Sequence, residues 1–93
     1  MQYEYKPSFI RSFKSLRSVD IEEDVKLAVK KFIFAMNHPG MIPHGMGLRK
    51  LKDPYYEFRS GLGIRVVFRR QADLTEFVLV GNHDDIKRFL KVH

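Results

Sequence analysis

The chain contains no cysteine and no long hydrophobic run. The absence of cysteine excludes disulfide bonds and thiol chemistry, and it gives no support to an oxidising compartment. No apolar stretch approaches the roughly 18 residues that a membrane-spanning helix needs. Residues 1–5 also lack the apolar segment of a signal peptide. We therefore expect a cytoplasmic protein that does not bind a membrane.

Metal-ligand clusters are lacking as well. The four histidines are not spaced as metal ligands are; they are His38, His44, His83 and His93. The sequence thus predicts neither a metal site nor a small-molecule cofactor, and any chemistry must come from the side chains themselves.

Positive charge is abundant and concentrated in one part of the chain. The 93 residues suit a single domain spanning 1–93, and the net charge is +6. Most of the excess lies in residues 48–70, where only Asp53 and Glu57 oppose the basic residues, which are Arg49, Lys50, Lys52, Arg59, Arg65, Arg69 and Arg70. This concentration indicates a polyanionic or acidic partner. A solvated basic surface is the alternative.

The first half of the chain predicts a strand and two helices. Residues 2–6 alternate as a strand does. Ser8 is expected to cap a first helix, and Asp20 to open a second one whose apolar residues recur at helical spacing. Residues 37–40 should end that helix at a proline, and residues 41–47 should form a loop marked by glycine and proline.

The second half predicts three strands and a last helix. The strands lie near 55–59, 64–70 and 75–82, joined by turns at 60–63 and 71–74. Asn82 should cap the helix, with Asp85 in its first turn. The order β-α-α-β-β-β-α predicts an α+β fold, in which an antiparallel-rich sheet packs on an N-terminal helical hairpin.

Arginines alternate with apolar residues in two of these strands. The segments are Tyr55-Tyr56-Glu57-Phe58-Arg59 and Ile64-Arg65-Val66-Val67-Phe68-Arg69. Successive side chains of a strand point to opposite faces, so one face can bury apolar groups while the other holds guanidinium groups. Arginines fixed on strands suit a phosphate-bearing ligand held in one geometry.

The chain resembles the RelE/ParE toxin superfamily of bacterial toxin–antitoxin systems over nearly its whole length. The resemblance rests on the element order and on four segments: Leu48-Arg49-Lys50-Leu51, Tyr56-Glu57-Phe58-Arg59, Arg65-Val66-Val67-Phe68 and Val80-Gly81-Asn82-His83. It implies a toxin bound by an antitoxin protein. In the RelE branch such toxins are metal-independent endoribonucleases, many of which cut messenger RNA on the ribosome, and we expect this activity. The alternatives are a ParE-type gyrase inhibitor that cleaves nothing, and an inactive module that only binds its antitoxin.

The resemblance implies roles for residues of the strands and the last helix. Arg65 matches the arginine that holds the scissile phosphate, unless it only pairs with Glu57 or the antitoxin. His83 matches the residue that protonates the leaving group, unless it is a solvated histidine. Glu57 and Arg59 stand where several RelE-type enzymes carry lysines, one of them the base. Glu57 could accept the 2′-hydroxyl proton or pair with an arginine.

Further residues are predicted to bind RNA. Arg49, Lys50 and Lys52 would contact its backbone, unless they are solvated residues of an edge strand. Arg69 is added to this group, and Phe89 matches a base-stacking position, although its helical spacing favours core packing. The histidines outside the site are treated as a loop residue, His44, and a helix-end residue, His38.

Arg59 and Arg65 share a face in only one register of their hairpin. A four-residue loop at 60–63 pairs position 59 with 64 and turns Arg65 away from Arg59. A five-residue loop at 60–64 pairs 59 with 65 and puts both on one face, so a slip of one residue reverses the outcome. The predicted site requires the second register, or a bulge that mimics it.

Overall fold

The computed structural model describes residues 1–38, 40 and 45–93. Its elements are β1 (Gln2–Tyr5), α1 (Pro7–Lys14), α2 (Val19–Asn37), β2 (Arg49–Lys50), β3 (Tyr55–Ser60), β4 (Ile64–Gln71), β5 (Leu74–Gly81) and α3 (His83–Val92). The predicted α+β order is confirmed with one addition, β2, whose two residues are too few for alternation to reveal. Pro39, His44 and most of the predicted loop at 41–47 lie outside the described residues.

The strands form one five-stranded sheet in the order β1-β5-β4-β3-β2. β1 pairs with β5 in parallel, and the other pairs are antiparallel. The helical hairpin of α1 and α2 covers one face, where Phe32 of α2 stacks on Phe58 at a centroid distance of 4.5 Å. Truncating a buried phenylalanine to alanine typically costs about 3–5 kcal/mol, so this cluster is a main source of stability.

Helix α3 covers part of the opposite face. Its buried residue, Ile86, packs with Tyr55, Val67 and Val78. Phe89 and Leu90, which end the apolar side of the helix, pack against the same cluster. The Arg59–Arg65 end of this face is not part of the cluster, so the face is apolar under α3 and charged beyond it.

Helix α1 begins one residue before the predicted cap. Ser8 does not cap it, because the helix starts at Pro7, whose fixed φ suits the first helical position. The Ser8 hydroxyl instead donates to the carbonyl of Val78 at 2.5 Å, and the Ser12 hydroxyl accepts the N–H of Val80 at 3.0 Å. These hydroxyls satisfy backbone groups on the part of β5 that β1 does not cover, which protects the strand edge.

Helix α2 is capped by Ser18 and not by Asp20. The Ser18 hydroxyl accepts the N–H of Ile21 at 3.3 Å, and Asp20 lies in the first turn, where its charge complements the helix dipole. The helix ends at Asn37, and His38 follows as the predicted helix-end residue. Like the other described helices, α2 is not long and apolar enough to cross a bilayer.

Helix α3 has the predicted cap, strengthened by a reciprocal bond. The Asn82 side chain accepts the N–H of Asp85, and the Asp85 carboxylate accepts the N–H of Asn82, both at 2.9 Å. Gly81 makes room for this arrangement, because a Cβ there would lie 2.6 Å from Asp85 Oδ2. The capping box fixes where α3 begins, and with it the position of His83.

Candidate phosphate-binding site

The hairpin of β3 and β4 adopts the register that the predicted site requires. Arg59 pairs directly with Arg65, and Ser60 pairs with Ile64. Because this second pair also forms, the turn consists only of residues 61–63, with positive φ values at Gly61 and Gly63 that glycine accommodates readily. Both arginines therefore lie on the sheet face that α3 partly covers.

Two arginines directly opposite each other are an unfavourable pair within a sheet. Like charges at such positions destabilise the strands, where a well-matched pair contributes about 0.2–1 kcal/mol. Arg59 is exposed, and no ion pair holds its side chain among the described residues. An anion bound here would relieve this repulsion, and a phosphate group has the charge and the acceptor oxygens to do so.

Glu57 lies beside this pair and is almost completely buried. Its side chain is 1% exposed, and its Oε2 lies 3.2 Å from Arg65 Nη1 and 3.3 Å from Arg49 Nη2. Both distances are those of ion pairs, yet neither N–H points at the oxygen in hydrogen-bond geometry. Glu57 is therefore the shared counter-charge of two arginines, and the contact is Coulombic.

The burial of Glu57 favours ion pairing over base catalysis, the two roles left open by the sequence. Arg49 of β2 stands opposite Glu57, and Arg65 of β4 lies diagonally across from it. A ribose hydroxyl would have to displace these guanidinium groups to reach the carboxylate. The structure thus brings Glu57 into the predicted site as a partner of the arginines.

His83 lies at the same end of the sheet. It is the first residue of α3 and follows two residues after Gly81, the cross-strand partner of Arg65. Its side chain is exposed, and within the described residues no hydrogen bond or ion pair engages the ring. The exposed ring thus lies at the end of the sheet that carries Arg65, and its role as the acid stays a prediction.

Arg69, by contrast, has a partner within the fold. Its Nε and Nη2 donate to Glu76 Oε1 at 2.8 and 2.5 Å, and Lys6 Nζ lies 3.4 Å from Glu76 Oε2. The hydrogen bonds from Arg69 lower the pKa of Glu76 although burial opposes the shift. Lys6 also pairs with Glu4, and its contacts with Glu4 and Glu76 raise the pKa of Lys6. Arg69 is thus engaged in an ion pair within the fold, which favours a structural role over the predicted RNA contact.

The lysines of the β2 region are exposed but have local contacts. Lys50 forms an ion pair with Asp53 at 3.0 Å, which raises the pKa of Lys50. The ammonium of Lys52 donates to the carbonyl of Leu90 at 3.4 Å. Arg49 keeps 62% of its side chain exposed. Arg49, opposite Glu57, lies on the face of the arginine pair, whereas Lys50, opposite Tyr56, lies on the other face. Their contacts with RNA stay a prediction.

Phe89 packs into the protein, the alternative that its helical spacing favoured. Its ring meets Tyr55 edge-on at a centroid distance of 5.0 Å, and the ring of His93 stacks on it at 4.1 Å. His93 stacks on one face of the ring, and the contact with Tyr55 joins Phe89 to the cluster under α3. Phe89 therefore contributes to the position of α3.

Gly47 is a residue of the site that sequence reasoning missed. A Cβ at this glycine would lie 3.0 Å from the Cβ of Arg59 and 3.2 Å from its Nε, and the φ angle is +71°. The backbone N–H of Arg59 donates to the carbonyl of Met46 at 2.8 Å. The Arg59 side chain thus lies against a bare stretch of backbone. The only signal in the sequence is the pair of glycines at 45 and 47.

Within residues 1–38, 40 and 45–93, no group of three or more histidine, cysteine, aspartate or glutamate side chains could hold an ion.

The fold is shared with solved toxins of toxin–antitoxin systems. A copper-bound mutant toxin from Helicobacter pylori superposes with a TM-score of 0.71 at 16% identity, covering 92% of this chain and 98% of that one. YafQ from Escherichia coli gives 0.70 at 13% identity, covering 91% and 96%. The RelB–RelE complex from Methanococcus jannaschii gives 0.66 at 18% identity, covering 91% and 95%.

The chain therefore has a RelE-type toxin fold. YafQ, YoeB and RelE toxins share this architecture with it, as the superpositions over nearly the whole length show. No protein-family model and no curated protein sequence matches the chain. At these levels of identity the likeness establishes the fold, and the function must be argued from the site.

Proposed function

We propose that the protein is the toxin of a toxin–antitoxin module and that it cleaves messenger RNA on the ribosome without a metal ion. The observation that carries this proposal is the direct pairing of Arg59 with Arg65 on one sheet face, at the same end as His83, whose exposed ring has no partner among the described residues. Strands hold these arginines in a fixed geometry, which a phosphoryl-transfer site requires and a diffuse basic surface does not.

The side chains divide the chemistry among themselves. The ribose 2′-hydroxyl loses its proton to solvent water as its oxygen attacks the adjacent phosphorus, the bond from phosphorus to the 5′-oxygen breaks, and a cyclic phosphate is left on the ribose. Arg59 and Arg65 neutralise the charge that accumulates on the phosphate oxygens in the transition state. His83 gives a proton to the departing 5′-oxygen. Arg49, Lys50 and Lys52 hold the RNA backbone along β2.

The burial of Glu57 supports a second candidate function. Glu57 stands where several RelE-type enzymes carry a lysine, and its carboxylate is covered by two guanidinium groups. A toxin of this fold that lacks an accessible base at this position is better suited to binding than to catalysis. The second candidate is therefore a ParE-type inhibitor of DNA gyrase.

An antitoxin protein is the proposed regulatory partner under either function. Three of the solved complexes with this fold, DinJ–YafQ, RelB–RelE and YoeB–YefM, pair a toxin with a second protein. The excess positive charge of the chain suits a partner with an acidic segment.

One experiment separates the two functions and tests the site. Purified protein is added to programmed ribosomes and, separately, to a gyrase supercoiling assay. We expect message cleavage and unchanged supercoiling. Arg65→Ala and His83→Ala should each reduce cleavage at least about tenfold while the melting temperature stays close to that of the wild type. Inhibition of supercoiling without cleavage would support the gyrase inhibitor, and full cleavage by both variants would show that the site is misassigned.

A further inference from the structure

Two guanidinium groups meet at one buried carboxylate on β3, and a third arginine lies on the same face of the sheet. Arg49 reaches Glu57 from β2, and Arg65 reaches it diagonally from β4. Arg59 lies two residues farther along β3 on the same face. The ion pairs therefore draw two side chains from neighbouring strands over the central strand, on the face that also carries Arg59.

The apolar surroundings of Glu57 do not by themselves account for a carboxylate at this position. The carboxylate lies within the sheet face between Tyr55 and Val67, both buried. Burying a carboxylate is unfavourable, and replacing a buried ion pair with apolar residues of similar volume is often neutral or stabilising. A glutamate that is 1% exposed at this point therefore has its explanation in the arginines it contacts.

The geometry of the contact leaves the arginines able to bind a ligand. Oε2 is buried and receives no directed hydrogen bond from the described residues, although two guanidinium groups lie within 3.3 Å. Glu57 thus restrains Arg65 through charge, and the contact with Oε2 uses none of its N–H groups in a directed bond. Those groups can point at a phosphate while the carboxylate below keeps the guanidinium in place.

We propose that Glu57 is the positioning residue of the site and not its base: it holds the Arg65 and Arg49 guanidinium groups beside Arg59, so that a single phosphate meets a preorganised cluster. This inference rests on the proposed function for its effect on catalysis. Its structural part, restriction of the Arg65 side chain, is independent of what the protein cleaves.

The chain offers a matched control in Glu76. Like Glu57 it is a buried glutamate on the α3-facing side of the sheet and is paired with a strand arginine, in this case Arg69. It lies away from the Arg59–Arg65 pair, in the row formed by Arg69 and Glu76. Glu57→Gln and Glu76→Gln therefore remove the same charge from similar surroundings, and only the first removes it from the site.

The experiment measures catalysis and side-chain motion in both variants. We expect Glu57→Gln to lower kcat at least about tenfold with little change in KM, and Glu76→Gln to leave both within about twofold. NMR measurement of guanidinium rotation should show faster rotation of Arg65 in Glu57→Gln only. Glu57→Asp, which keeps the charge on a shorter side chain, should fall between the wild type and Glu57→Gln in both measurements.

Several outcomes would overturn the inference. Full activity in Glu57→Gln, or unchanged rotation of Arg65, would show that Glu57 does not position the arginine. Loss of the acidic limb of the pH–rate profile in Glu57→Gln would assign base catalysis to Glu57 instead. If the wild-type protein cuts no RNA, the proposed function fails, and the rotation of Arg65 alone then decides whether Glu57 restrains it.

Discussion

At both ends of the α3-facing side of the sheet a buried glutamate pairs with a strand arginine, but charge is balanced at only one end. Glu76 binds Arg69, and its other oxygen faces Lys6, which also pairs with Glu4. At the opposite end Arg49 and Arg65 share the single carboxylate of Glu57, and Arg59 has no acidic partner among the described residues.

The two ends show how the same pair of residue types serves two purposes. At the balanced end, formed by Glu76, Arg69 and Lys6, two directed hydrogen bonds join Arg69 to Glu76. Two donors of the Arg69 guanidinium are therefore used within the fold. In the other end the contacts with Glu57 are undirected, so donors remain for a ligand. We therefore interpret Arg69, whose hydrogen bonds are made within the fold, as a structural arginine. We interpret the end with Arg49, Arg59 and Arg65, where arginines outnumber carboxylates, as the candidate binding site.

The largest expected effect compares one arginine from each end. Arg59→Gln should reduce RNA cleavage at least about tenfold, because it removes a charge that the transition state requires. Arg69→Gln should leave cleavage within about twofold and lower the melting temperature, because it breaks a structural pair. Arg59→Gln should not lower the melting temperature, since it relieves repulsion from Arg65.

Cleavage assays and thermal unfolding of both variants check this contrast. An equal loss of cleavage in the two variants would mean that the ends do not differ in function. A large drop in the melting temperature of Arg59→Gln would mean that Arg59 has a structural partner after all.

The sequence predicted the strands of this face and could not predict the balance of charge on it. Alternation placed Arg59 and Arg65 on adjacent strands, yet loops of four and five residues were both allowed at the turn. The register was decided by the Ser60–Ile64 pair, which closes the turn at three residues. Glu76 was not recognised as the partner of Arg69, because the pairing of β4 with β5 contains a register shift near Val67.

The sequence predicted the apolar faces of the helices better than the residues at which the helices begin. Capping residues act over one turn, and several candidates stand within reach of each start. Ser18 took the role expected of Asp20, and Pro7 opened α1 while Ser8 turned to β5. Asn82 was predicted correctly, because Asp85 three residues later makes a reciprocal bond possible.

The burial of Glu57 could not be predicted either. It depends on the pairing of β3 with β2, and β2 is too short to be recognised in the sequence.

The second effect is a pH dependence that belongs to the balanced end. The pKa of Glu76 lies below its ordinary value of 4.5, chiefly because Arg69 donates hydrogen bonds to the ionised carboxylate. A lowered folded-state pKa means that the stabilisation is present above pH 4.5 and is lost as the pH falls through the folded-state pKa. Glu76→Gln should therefore be less stable than the wild type by about 1 kcal/mol at neutral pH, and the difference should shrink in acid.

Urea unfolding between pH 7 and pH 3 measures this difference. Glu4→Gln is the matched control, since Glu4 also pairs with Lys6 but keeps half of its side chain exposed, and exposed pairs contribute little. A stability difference for Glu76→Gln that stayed constant down to pH 3 would show that the ion pair is not its source.

The smallest expected effect concerns the surface on which Arg59 lies. Gly47→Ala would place a methyl group 3.0 Å from Arg59 Cβ and 3.2 Å from its Nε, so the arginine must move. Gly45→Ala provides the control, because Gly45 also has a positive φ, +86°, and no described atom lies within 4 Å of a Cβ built there.

Both variants carry the strain of alanine in a left-handed conformation, about 1 kcal/mol. Both should therefore lose similar stability, but only Gly47→Ala should lower cleavage, by about threefold, because it alone shifts a guanidinium away from the phosphate. Equal cleavage rates in the two variants would show that Arg59 finds the phosphate without this backbone surface, and would leave the unbalanced end dependent on Glu57 alone for its geometry.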